Sequence, residues 1–64
     1  MRVRVNEKCE YLRDLGEIKL GQTGVVNLDD LWHDESVGHI AVILDDIPGF
    51  TWCFFDYELD FLND

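Results

Sequence analysis

Apolar and polar residues alternate near both ends of the chain and give way to continuous apolar runs in between. Met1 to Val5 places Val3 and Val5 on one side and Arg2 and Arg4 on the other, the period-two pattern of a half-buried strand. Near the other end, Asp56, Glu58 and Asp60 alternate with Tyr57, Leu59 and Phe61, which predicts a strand or a short 3₁₀ turn leading into one. Between them lie two uninterrupted apolar runs, Ile40 to Leu44 and Phe50 to Phe55, rich in β-branched and aromatic residues. Asp45, Asp46, Ile47, Pro48 and Gly49 separate the runs. Asp accepts local backbone hydrogen bonds, Pro presets φ and Gly tolerates positive φ, so the pattern predicts a tight hairpin at Asp45 to Gly49. Both faces of this hairpin are apolar, so alternation leaves open which of them is inside.

The remaining segments are less regular. Asn6 to Leu20 is polar, with Tyr11, Leu12, Leu15, Ile18 and Leu20 irregularly spaced and Gly16 interrupting any helical period, so a long, partly packed loop is expected. Gly21 to Leu28 reads GQTGVVNL, a turn feeding a strand through Val25 and Val26. It has neither the lysine nor the spacing of a phosphate-binding loop. Asp29 to Gly38 is a charged connection carrying Leu31 and Trp32.

Length changes the picture by limiting the core. A chain of 64 residues is expected to form one domain, 1–64, and chains of this size bury only about 60% of their unfolded surface. Charge changes it more. Fourteen acidic residues against five basic ones give a net charge of −9. All five bases, Arg2, Arg4, Lys8, Arg13 and Lys19, precede Gly21, and ten carboxylates with no Lys or Arg follow it. Such a surface repels phosphate backbones and favours basic protein surfaces, so direct nucleic-acid binding is not expected. Two cysteines without a secretory leader point to a reducing, cytoplasmic setting, and no apolar run approaches the roughly 20 residues of a membrane span.

An alternating first strand, a long loop, G-Q-T-G-V-V opening the second strand, a hairpin and a closing E-L-D-F-L together resemble a small Src-homology-3-like barrel. The likeness is greatest to the KOW-type variety of bacterial and phage proteins. It rests on Gly21, Gly24 and Val26 in a G-x-x-G-x-V arrangement and on Glu58, Leu59 and Leu62 in the closing strand. The resemblance implies an all-β, five-stranded barrel with a long loop after strand 1. KOW-type members often contact RNA or the transcription machinery through basic loops; this chain has no base after Lys19.

Candidate chemistry is sparse. His33, Asp34, Glu35 and His39 offer imidazole and carboxylate donors to a divalent metal or small ligand, but their spacing matches no structural-zinc framework. The acidic pairs Asp29/Asp30, Asp34/Glu35 and Asp45/Asp46 lack the two contrasting environments that acid–base catalysis requires. No enzyme activity and no cofactor are expected. The remaining candidate is a protein interface: Trp52 and Phe54 as an aromatic centre, rimmed by Asp45, Asp46, Asp56, Glu58 and Asp60. On a common strand face, Asp56, Glu58 and Asp60 would stand about 6.8 Å apart and imitate a nucleic-acid backbone. The expected function is therefore a non-enzymatic acidic module, monomeric or weakly dimeric, that regulates or inhibits a basic nucleic-acid-handling partner. The alternatives are a homodimeric assembly role and divalent-metal or small-ligand binding at the His33–His39 loop.

Overall fold

Five antiparallel strands carry the fold, and the computed structural model describes residues 1–14 and 16–62. The strands are β1 (Arg2–Val5), β2 (Thr23–Val26), β3 (His39–Leu44), β4 (Trp52–Phe55) and β5 (Leu59–Leu62). They form one sheet in the order β4-β3-β2-β1-β5, so the last strand returns beside the first. Helix is confined to one turn, α1 (Tyr11–Asp14), and to 3₁₀ turns at Glu35–Val37 and Asp56–Glu58. The result is an all-β curled half-barrel, consistent with a small Src-homology-3-like barrel.

The curl follows from how β3 divides its partners. Its first half, from His39 to Val42, pairs with β4, and its second half, from Val42 to Leu44, pairs with β2. Staggering neighbours along one strand tilts and coils the sheet, as closing a barrel requires. It also explains why β4 starts at Trp52 and not at Phe50: Val42↔Trp52 is the last pair that β3 offers on that side. The hairpin connection thus spans residues 45–51, two more than the predicted turn.

Inside the curl lie Val3, Val5, Ile40, Val42, Leu44, Phe54 and Leu59, the inward set of four strands, with Cys9 and Ile18 added from the loop after β1. Val3 and Val5 face inward as their alternation predicts, which leaves Arg2 and Arg4 on the outer face. The loop is fixed at its root by Asn6. Its backbone N–H donates to the Glu58 carbonyl at 3.0 Å, and its side-chain amide donates to the Tyr57 carbonyl at 2.9 Å. Tyr11 and Leu12 then pack on the core from above. Leu15, also expected to help cover it, lies outside the described residues.

Two glycines shape β2. Gly21 turns the chain with φ of 83°, a left-handed conformation that favours glycine. Gly24, paired with Val3 on one side and Leu44 on the other, permits a close approach of β2 to β3. A Cβ there would stand 2.5 Å from the Ile43 carbonyl oxygen and 3.0 Å from the Leu44 Cα.

On the outer face Arg2 forms a two-pronged ion pair with Asp45, at 2.7 and 3.3 Å, and the Thr23 hydroxyl donates to the same carboxylate at 2.7 Å. The Arg2 and Thr23 hydrogen bonds hold the Asp45 carboxyl below its ordinary range. A carboxyl lowered in the folded state contributes stability above its unfolded pKa, and loses it as pH falls from there through the folded value. Thermal unfolding of the protein and of Asp45→Asn should therefore differ most at neutral pH. The gap should close progressively below about pH 3.9, the ordinary aspartate value; a gap that widens on acidification would contradict this assignment.

Candidate functional site

The site is organised around strand β4, one edge of the sheet. Successive side chains of a strand point to opposite faces. Here Trp52 and Phe54 turn inward and Cys53 and Phe55 outward: Phe54 is 2% exposed and belongs to the core, whereas Phe55 is 43% exposed. Tyr11 covers the inner pair, with its ring edge-on to Trp52 at 5.9 Å and to Phe54 at 5.4 Å.

The same loop also reaches the backbone of β4. The Tyr11 hydroxyl donates to the Cys53 carbonyl at 2.8 Å, and burial pushes the Tyr11 phenol up, so it retains the proton it donates. Two residues on, the Phe55 N–H donates to Glu58 Oε1 at 2.7 Å. This is half of a capping box, with the third residue of the Asp56–Glu58 turn reaching back to the residue before it. Glu58 Oε2 accepts the Glu10 N–H at 2.8 Å, so one carboxylate ties β4 to the long loop. Glu58 is 3% exposed. Burial pushes the nearby Cys9 thiol up, and the Glu58 charge adds to the effect. Cys53 is raised by burial and by the charge of Asp30. Both cysteines are free and hold their protons at neutral pH, which disfavours nucleophilic chemistry.

Above this edge opens a cleft of about 480 Å³. Tyr11 and Glu10 come from the long loop, Trp32 from the connection between β2 and β3, Cys53 and Phe55 from β4, and Glu58 from the 3₁₀ turn. Trp32 is 72% exposed. Its backbone is set by Asp30, whose carboxylate accepts the Trp32 N–H at 2.8 Å. Phe55 stacks on Tyr57 at 5.5 Å with ring planes 6° apart, and His39 meets Phe55 edge-on at 5.6 Å. Aromatic side chains thus form much of the wall, and among the described residues no Lys or Arg lines it.

The structure redistributes the residues that the sequence nominates. Trp52 and Phe54 are not an exposed aromatic centre, because both pack beneath Tyr11. Glu58 is not part of an exposed rim, because its carboxylate is taken up by backbone N–H groups. Asp56 and Glu58 lie in a 3₁₀ turn and Asp60 in β5, so the three carboxylates do not form a strand row. Asp60 faces Arg4 across the β1–β5 register, at 3.9 Å, and Asp45 is held by Arg2. Asp46 and Asp56 are exposed. The exposed aromatic side chains are instead Trp32, Phe50, Phe55, Tyr57 and Phe61, of which Trp32 and Phe55 line the cleft.

The histidine loop is committed to structure. His33 Nδ1 accepts the Ala41 N–H at 3.1 Å, continuing the pairing of β3 beyond the end of β2, and its other nitrogen lies 3.8 Å from Glu35. Asp34 accepts from the Ser36 N–H at 3.1 Å and from the Ser36 hydroxyl at 2.6 Å, which lowers its carboxyl. Among the described residues no three His, Cys, Asp or Glu side chains converge in a metal-binding arrangement.

Comparison of the chain with protein-family models, with curated proteins and with solved structures gives no match. Among the described residues no helix is long and apolar enough to cross a membrane.

Proposed function

We propose that this chain is a non-enzymatic binding module for a basic surface of another protein, acting as a regulator or inhibitor of that partner. The observation that carries the reading is the separation of charge along the chain. Arg2 and Arg4 lie on the outer face of β1, where they meet Asp45 and Asp60. Asp29, Asp30, Asp34, Glu35, Asp46 and Asp56 stand outside both arginine pairs, and the stretch that holds them contains no base. Exposed Trp32, Phe55 and Tyr57 lie on that side of the chain, giving the aromatic centre and polar surround common in protein interfaces. A nucleic-acid-handling protein is a natural partner, since its basic groove has the complementary sign.

Association steered by such a field weakens with salt, as the Debye length falls from about 10 Å at 0.1 M towards 3 Å at 1 M. Capture from lysate at low salt, followed by titration of the recovered partner, tests the reading. The expected result is a basic partner whose affinity drops steeply as salt rises. A partner bound equally well at high salt, or an acidic one, would remove the electrostatic basis.

A further inference from the structure

The cleft beside β4 combines two features that ordinarily need a cation. Tyr11, Trp32 and Phe55 line it, and aromatic rings carry negative quadrupole density on their faces that attracts ammonium and guanidinium groups. At its base lies Glu58, a carboxylate 3% exposed. Buried charges are ordinarily paired with an opposite charge or a metal. Glu58 has two backbone N–H groups instead, and no ion pair to it occurs among the described residues. Glu10 is a second acidic residue of the lining. The lining thus joins aromatic side chains to two acidic residues and, among the described residues, holds no lysine or arginine.

We propose that this cleft receives one lysine or arginine side chain from a basic segment of a partner protein, its stem and the near side of its charged head against the rings of Tyr11, Trp32 and Phe55 and its N–H donors towards Glu10 and Glu58. The inference rests on the basic-partner reading above and narrows it from a field to a pocket. A cationic head on an aliphatic stem matches both halves of the lining, whereas an acidic or purely apolar side chain matches only one or neither.

The test uses the full chain, isotopically labelled, titrated at low salt with two unstructured dodecapeptides, one alternating glycine with arginine and one alternating glycine with citrulline. The arginine peptide is expected to shift the Trp32 indole signal and the Cys53 and Phe55 amide signals first, and the neutral citrulline peptide to shift none of them. Trp32→Ala, a change at an exposed position, should weaken the arginine peptide roughly tenfold, as loss of one partly desolvated cation–aromatic contact predicts. Glu10→Gln should weaken it more than Glu7→Gln, which removes the same charge outside the cleft. Equal effects of these two changes, with Trp32→Ala neutral, would overturn the pocket while leaving the diffuse electrostatic reading intact. Failure of the arginine peptide to bind at all would overturn both.

Discussion

Alanine at position 24 is expected to remove a large part of the fold's stability at 25 °C. The added methyl group would sit 2.5 Å from the Ile43 carbonyl oxygen, 2.8 Å from Val42 Cγ1 and 3.0 Å from the Leu44 Cα. Two of these three atoms are backbone, so no rotamer change relieves the clash. Nor can β2 simply move away, because Gly24 is paired with Val3 in β1 on its other side. Relief requires opening the β2–β3 register at the point where the sheet curls. Overpacking of a well-filled site costs typically 1–3 kcal/mol, and a clash with fixed backbone belongs at or above the upper end, about 3 kcal/mol or more. A domain of 64 residues has a total stability of roughly 3–10 kcal/mol at 0.05–0.15 kcal/mol per residue. Gly49→Ala is the control, since nothing lies within 4 Å of its added Cβ and its φ is not positive. Urea unfolding should place Gly49→Ala within about 0.5 kcal/mol of the unaltered chain. A Gly24→Ala protein with an unchanged midpoint would refute the close approach.

Glu58→Ala is the second change expected to be severe, for a different reason. It creates no clash; it strands donors. The N–H groups of Phe55 and Glu10 both lose their acceptor, and each hydrogen bond to a charged group contributes about 1.5–3 kcal/mol. Part of that loss is recovered as the site opens to water, which leaves an expected cost of about 2–4 kcal/mol. Glu58→Gln keeps a carbonyl oxygen for one N–H but turns an NH₂ group towards the other donor, so it should fall between alanine and the native residue. The damage should also be local in character. Amide hydrogen exchange at Phe55 and Glu10 should accelerate in both variants before global unfolding, and Cys9 should become reactive to thiol reagents. An alanine variant within about 0.5 kcal/mol of the native protein, with Glu10 still protected, would show that the carboxylate does not tether the loop.

These two residues also mark what the sequence discloses and what it conceals. Gly24 is legible in part: it reads as the end of a turn from Gly21 that feeds Val25 and Val26, but the strand already begins at Thr23, and inside it a glycine permits close backbone approach. The alternation of Val3 and Val5, the hairpin and the long loop after β1 are legible for the same reason, since each follows from local geometry. Glu58 is not. Its place in the run Asp56, Glu58, Asp60 assigns it to a period-two acidic face, but the chain winds there at about three residues per turn, which breaks that face and turns Glu58 inward. Phe54 and Phe55 were indistinguishable because both hairpin faces are apolar; the choice is made by Tyr11, which lies more than 40 positions away from β4 in sequence. Trp32 belongs to a connection without any repeating pattern, so only the assembled fold brings it opposite Phe55.

The bonds from Tyr11 and Glu58 to β4 have one further consequence. Trp52, Cys53, Phe54 and Phe55 form an uncharged, β-prone stretch on an edge strand, the composition that templates cross-β aggregation when its backbone is accessible. The Tyr11 hydroxyl occupies the Cys53 carbonyl, and the Glu58 carboxylate occupies the Phe55 N–H. An incoming strand would have to displace both. The attachment of the long loop is thus a gatekeeper against fibril nucleation, and a chain that loses it exposes its stickiest strand before it loses its core.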